Sequence, residues 1–263
     1  MYESVERIMD IDFIYFDIIL VTLWITALLL RKRYREMLFG LFGFLVVFFV
    51  DEVWWYHVKH TRIIEGPIQG DLFLLYFSFT YGVIMFSFAP LMFNQKIDVM
   101  EKICWITGMF GGWLLIGFLS QTISWNDAEM SIGRNMNAAR LVQILMVVIG
   151  YTILIALKLG NNRYFKKVPW GYFLVLFAIG IFIHFSMEFT LWATNIRPTH
   201  WDVLIFNSLL EFNEGIPILF GMWVFFNKKD YLSKTIHKKT IADYYFERNQ
   251  LIVQEKKERQ LEG

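Results

Sequence analysis

The chain has 263 residues, of which 56% are hydrophobic, 19% aromatic and 19% charged, with a mean hydropathy of +0.44. A soluble domain usually carries about a quarter charged residues, so an ordinary soluble protein is excluded. A formal charge of +1 leaves no basic surface for nucleic acid. The single cysteine, Cys104, cannot form an internal disulfide, and no Cys/His framework for zinc is present.

Crossing a bilayer takes about 20 mainly apolar residues in a helix, because hydrocarbon offers the backbone no hydrogen-bond partners. Seven stretches meet this condition, over residues 13–30, 37–56, 72–93, 103–119, 141–157, 170–191 and 203–226. The opening MYESVERIMDID is acidic and lacks a basic n-region or small-residue cleavage site, so the first apolar run reads as a retained helix and not a signal peptide. Arg31, Lys32, Arg33, Arg35, Lys96, Lys102, Lys158, Arg163, Lys166, Lys167, Lys228 and Lys229 fall on one side of these spans. Only Arg7, Lys59, Arg62, Arg134, Arg140 and Arg197 are scattered on the other. By the positive-inside rule the N-terminus is outside or lumenal and the C-terminus cytoplasmic. The expectation is an all-α integral membrane protein: a seven-helix bundle over residues 1–227, then a charged cytosolic tail over 228–263. No internal repeat or linker divides it.

A carboxylate in the membrane costs several kcal/mol unless it faces a cavity or a partner, which makes Asp51, Glu52, His184, Glu188, Glu211 and Glu214 candidate functional residues. At about 1.5 Å rise per residue, Glu211 and Glu214 lie about 12 to 17 Å inside the seventh span. His184 and Glu188, four apart, share a helix face, as do Glu211 and Glu214, three apart. Asp51 and Glu52 are about 100° apart, so one of them points inward. All six lie in the outer half of the membrane or at its middle and could border one polar cleft. Glu52 and Glu214 are read as functional. Asp51 is read as a structural or interfacial acid hydrogen-bonded to the adjoining loop. For His184, Glu188 and Glu211, an interhelical hydrogen-bonded group and a functional site remain open. His57 and His60, with Lys59 and Arg62, read as a basic cluster at headgroup level and not as a metal site. Trp54, Trp55, Trp125, Trp192 and Trp201 fit an aromatic belt.

The stretch around these acids resembles the small seven-helix membrane-bound terpene cyclases of microbial meroterpenoid and indole-diterpene pathways, over about residues 35–226. Glu52 followed by Trp55 is similar to the family's second-helix Glu and aromatic. Ile63-Ile64-Glu65, then Gly82-Val83-Ile84 and Phe88-Ala89-Pro90, follow its next helix. Asn137 and Gln143 resemble a polar position and a Gln at its fifth helix, and Glu214-Gly215 with Trp223 resembles an Asp-Gly and Trp in its last. Glu stands here for that Asp, Asp51 for a common Trp and Phe48 for a common Asn. The resemblance implies protonation-initiated cyclisation of a prenyl chain, with or without an epoxide, with Glu52 and Glu214 as the acids and with neither metal nor cofactor. Consistently, no Asp-rich run for magnesium-bound diphosphate is present.

The chemistry of the residues is compatible with that reading. A carboxyl group buried among apolar side chains is kept protonated by desolvation and can act as a general acid. Aromatic faces stabilise cations by about 0.5 to 2 kcal/mol each, and Trp55, Tyr56, Tyr76, Tyr81 and Phe185 are the candidates. The partners implied are a lipophilic polyprenyl substrate and the lipid bilayer. Two other classes stay open: a metalloenzyme using His184, Glu188, Glu211 and Glu214 or a sterol-isomerase-like lipid enzyme, and a proton-coupled transporter using Glu52 and Glu214 as a relay.

Overall fold

The computed structural model describes residues 4–126, 128–135, 139–197 and 201–227. The chain is mostly helical. Six helices are long and apolar enough to cross a membrane: α1 (Ile11–Leu30), α2 (Tyr34–Val58), α3 (Gly70–Phe93), α4 (Val99–Thr122), α5 (Ala139–Leu159) and α6 (Gly171–Ala193). Two shorter apolar helices follow, α7 (Trp201–Leu210) and α8 (Ile216–Phe226).

Three strands correct the all-α expectation. They are β1 (Ser4–Asp10), β2 (Arg62–Glu65) and β3 (Glu129–Asn135), in the antiparallel order β1-β3-β2. Side chains alternate across a strand, and the buried set here is Arg7 and Met9 from β1, Arg62 from β2, and Met130 and Ile132 from β3. The sheet therefore closes one end of the bundle with a buried face of three apolar side chains and two arginines. Its β1 edge is tied to the connection after α6, where the Ile8 amide donates to the Ile196 carbonyl at 2.9 Å. The buried Asp12 carboxylate fastens the connection after α4 by accepting from the backbone amides of Trp125, at 2.7 Å, and Asn126, at 3.2 Å.

At the opposite end Glu101 accepts from both Arg31, at 2.9 Å, and Arg33, at 2.6 Å. Asn94 donates to the buried Glu36 at 2.7 Å, and Arg35 bonds Asn227. The connections that the charge count assigns to two sides thus gather at two opposite ends.

Two helices depart from regular geometry, both where the candidate acids sit. From Phe49 to Val58 α2 continues as a π-helix, with the Lys59 amide bonded to the Trp54 carbonyl five residues back at 2.9 Å. The expected single span over 203–226 is two helices separated at 211–215. Pro217 has no N–H for the carbonyl four residues before it, and its ring crowds that carbonyl. Asn213 supplies a local alternative by donating from its side chain to the Leu209 carbonyl at 3.0 Å.

Candidate functional site: an arginine–carboxylate network under the sheet

The break between α7 and α8 is held from two sides. Tyr151 of α5 donates to Asn213 Oδ1 at 3.1 Å. Gly180 of α6 lies so close that a Cβ there would come within 2.1 Å of the same oxygen. Pinning Asn213 in this way fixes the direction of Glu211, two residues before it, and of Glu214, one residue after it.

Glu211 is the hub of the site. Arg134 of β3 donates to its Oε1 at 2.6 Å, and Arg140 of α5 approaches the same oxygen at 3.9 Å. His184 Nε2 of α6 lies 3.0 Å from Oε2 and 3.4 Å from Glu188 Oε1. The fully enclosed Glu188 is further bound by Arg197 and by Asn207, whose amide donates at 3.0 Å. Arg140 bonds Asn207 Oδ1 at 2.5 Å and Gln143 Oε1 at 3.3 Å. On the other side of Arg134, Asp51 of α2 lies 3.9 Å away and is bonded by Arg62 of β2. The result is one continuous series from Arg62 through Asp51, Arg134, Glu211, His184 and Glu188 to Arg197.

Charges in such a setting persist only when paired and hydrogen-bonded. Arg62 and Arg134 are direct cross-strand neighbours, an arrangement that like charges destabilise, and Asp51 between them offsets the repulsion. Burial lowers the Arg62 guanidinium to about 10, with Asp51 opposing the shift, so it stays charged at neutral pH. Aromatic faces supply further compensation: Arg7 lies 4.8 Å and Arg62 5.4 Å from the Phe77 ring centroid, and Arg134 lies 6.0 Å from that of Trp55.

Of the six acids and histidines singled out in the sequence, five share this region: Asp51, His184, Glu188, Glu211 and Glu214. The electrostatic neighbours of Glu214 are Glu211, Arg134, His184 and Asp51. Every other carboxylate in the network has a cation in contact. Glu214 has no ion pair or side-chain hydrogen bond among the described residues. Glu52 points elsewhere, toward His57 and Asp71, as the 100° offset from Asp51 requires.

The aromatic candidates divide among separate surroundings. Trp55 lies by Arg134. Tyr56 packs against Gly70. Phe185 belongs to a row with Phe110 and Phe189, at 6.4 and 5.3 Å. Tyr81 stacks on Trp113 at 5.6 Å. Tyr76 donates to Asp17 of α1 at 2.7 Å. Asn137 lies outside the described residues, as does the tail from residue 228.

Asp17 is a site residue that the sequence reading missed. It is completely buried in a membrane-length helix, with Thr80 and Trp113 alongside. The signal was present: past the first turn, where Asp12 sits, Asp17 is the one charged residue of the twenty-residue apolar helix. The expected headgroup-level basic cluster does not form. Lys59 lies over Trp54 at 5.0 Å, Arg62 is buried on Asp51, and His57 contacts Asp71 at 3.0 Å.

Clefts of about 640 Å³ between α1 and α4, lined by Trp24, Arg31, Glu101 and Trp105, and of about 350 Å³ beside Ile153, Leu157 and Asn162, both lie toward the end opposite the sheet.

Compared with known protein families, with curated proteins and with solved structures, the chain finds no match.

Proposed function

We propose that the protein is a multi-pass membrane enzyme that cyclises a lipophilic prenyl chain by protonating it, with Glu214 as the proton donor. The observation that carries this reading is the contrast between Glu214 and its neighbours. Asp51, Glu188 and Glu211 are each ion-paired with an arginine. Glu214 sits three residues from Glu211, in a broken helix, with no cation in contact. A carboxylic acid so placed can give a proton and take one back.

The reaction balances without an external reagent. The proton adds to the terminal alkene carbon, or to an epoxide oxygen whose C–O bond breaks. The electron pair of the next double bond closes the ring. A proton then leaves the carbon beside the final cation and restores the acid, so the product is an isomer of the substrate. The resemblance in Glu52–Trp55, Gly82–Ile84, Phe88–Pro90 and Glu214–Gly215 supports this class of chemistry, and the lipid-embedded location suits a polyene. In this reading the broken helix completes a seventh crossing, and the sheet faces outside or the lumen. The Arg31–Glu101 end faces the cytoplasm, as the loop charges suggest.

A metal centre built on His184, Glu188 and Glu211 is disfavoured, because Arg134 and Arg197 already occupy the carboxylates that would have to bind it. The test is to feed membranes containing the protein with prenylated arenes, with and without a terminal epoxide, and to look for an isobaric product by chromatography and mass spectrometry. Product from the native chain and none from Glu214→Gln supports the proposal. Equal product from both overturns it.

A further inference from the structure

We infer that Glu52, His57 and Asp71 form a binding site for one divalent transition-metal ion, of the zinc class, where α2 meets the sheet-capped end of the bundle. One oxygen of Glu52, one ring nitrogen of His57 and one oxygen of Asp71 all lie within 4.8 Å of one another. Bound Zn²⁺ takes nitrogen and oxygen donors at about 2.0 to 2.2 Å, so small side-chain rotations bring all three onto one ion.

Two features of the backbone bring these residues together. In an α-helix, positions five apart are rotated by about 140°. Over Phe49–Val58 the chain is a π-helix, whose bonds join residues five apart and so align Glu52 with His57. Asp71 comes from the first turn of α3. That turn approaches closely because Gly70 has no side chain: a Cβ there would lie 2.5 Å from the Tyr56 hydroxyl.

A second observation separates this group from a solvated acidic patch. Although the His57 and Asp71 side chains are 53% and 46% exposed, Glu52 Oε2 and Asp71 Oδ1 are themselves enclosed, and neither has a hydrogen-bond partner among the described residues. His57 Nε2 lies 3.0 Å from Asp71 Oδ1, yet the pair does not align as a hydrogen bond. One oxygen of each carboxylate and one imidazole nitrogen thus lie together, with His57 as the nearest cationic group, and no lysine or arginine pairs with Glu52 or Asp71 among the described residues. The arginine network beside it shows the opposite pattern. One nitrogen and two oxygen donors suit Zn²⁺, Co²⁺ or Mn²⁺ better than Ca²⁺ or Mg²⁺, which prefer all-oxygen shells. Three protein ligands leave a position for water or an oxygen of a substrate head group. An ion on Glu52 removes it from the proton donors and leaves that role to Glu214. The site itself stands whether or not the cyclisation proposal does, because metal uptake and product formation are measured separately.

The experiment uses the full chain, purified in detergent without a histidine tag and stripped with EDTA. Zn²⁺ binding is measured by calorimetry and by elemental analysis after gel filtration. Expected is about one equivalent of Zn²⁺, with affinity reduced at least tenfold in each of Glu52→Gln, His57→Gln and Asp71→Asn. Their metal-free melting temperatures should match the native chain. Should a variant fail to fold, Co²⁺ bound to the native chain provides the second readout. An intense visible band absent from aqueous Co²⁺ and displaced by Zn²⁺ supports the site; no such band counts against it. No saturable uptake, uptake unchanged in all three variants, uptake lost instead in His184→Gln, or saturation by Ca²⁺ but not Zn²⁺ would each overturn the inference.

Discussion

Arg134 of the capping sheet donates to Glu211 of the broken last helix across 2.6 Å, and this contact ties the strand layer to the acidic residues between α7 and α8. Removing one partner of a buried ion pair leaves the other charge uncompensated, at a cost of about 3 to 5 kcal/mol. Arg134→Gln should therefore lower stability in detergent strongly. The double variant Arg134→Gln/Glu211→Gln should recover part of the loss, because neither charge is then stranded. Chemical unfolding of the two variants checks this, and additive losses would show that the pair does not act as a unit.

Asp51 and Glu52 are sequence neighbours with opposite surroundings. Asp51 separates Arg62 from Arg134, and Asp51→Asn leaves two arginines directly opposed across the sheet, costing about 3 kcal/mol. Glu52 is half-buried and bears no cation, so Glu52→Gln should change stability by less than about 1 kcal/mol in metal-free buffer. The unfolding midpoints of the two variants, compared at equal denaturant slope, test the difference.

Much of this architecture is legible in the sequence, and the part that is not has identifiable causes. Apolar runs locate six of the long helices, and helical phase alone separates Asp51 from Glu52. The sheet is not legible: its strands are short, carry charge, and pair segments far apart in the chain, such as Arg7 with Ile132. Arg7, Arg62, Arg134 and Arg197 read as a few loop charges on the sparsely charged side. Strand alternation and chain reversal turn them inward, where Arg62, Arg134 and Arg197 pair with the candidate acids and Arg7 lies over the Phe77 ring. Pro217 marks the weak point of the last span, but what pins the break is Asn213 against Gly180 and Tyr151, a meeting of three elements that no local pattern specifies.

Gly180→Ala tests how much the position of Glu214 depends on that contact. The added methyl would meet Asn213 Oδ1 at 2.1 Å, and overpacking of this kind costs about 1 to 3 kcal/mol. The expected outcome is a lower melting temperature together with loss of activity beyond what the destabilisation explains. Gly171→Ala, with no atom within 4 Å of the added methyl, is the control and should be silent in both assays.

Tyr76 is the hydroxyl partner of the buried Asp17 at 2.7 Å. Tyr76→Phe deletes that donor and leaves a carboxyl oxygen unsatisfied, at about 1 to 3 kcal/mol. In an Asp17→Asn background the same substitution should cost less. A double-mutant cycle on thermal unfolding gives the coupling, and a value near zero would show that the two groups do not depend on each other.

Product formation by Glu214→Gln tests the central claim most directly. General acid catalysis contributes about 10²- to 10⁴-fold, so turnover of a prenylated substrate to its isobaric cyclic product should fall at least a hundredfold in Glu214→Gln. Glu214→Asp, which keeps the carboxyl group, should retain a measurable fraction, and both variants should keep native expression and melting behaviour. Undiminished cyclisation by Glu214→Gln, or no isobaric product from the native chain with any prenylated substrate, would contradict the account.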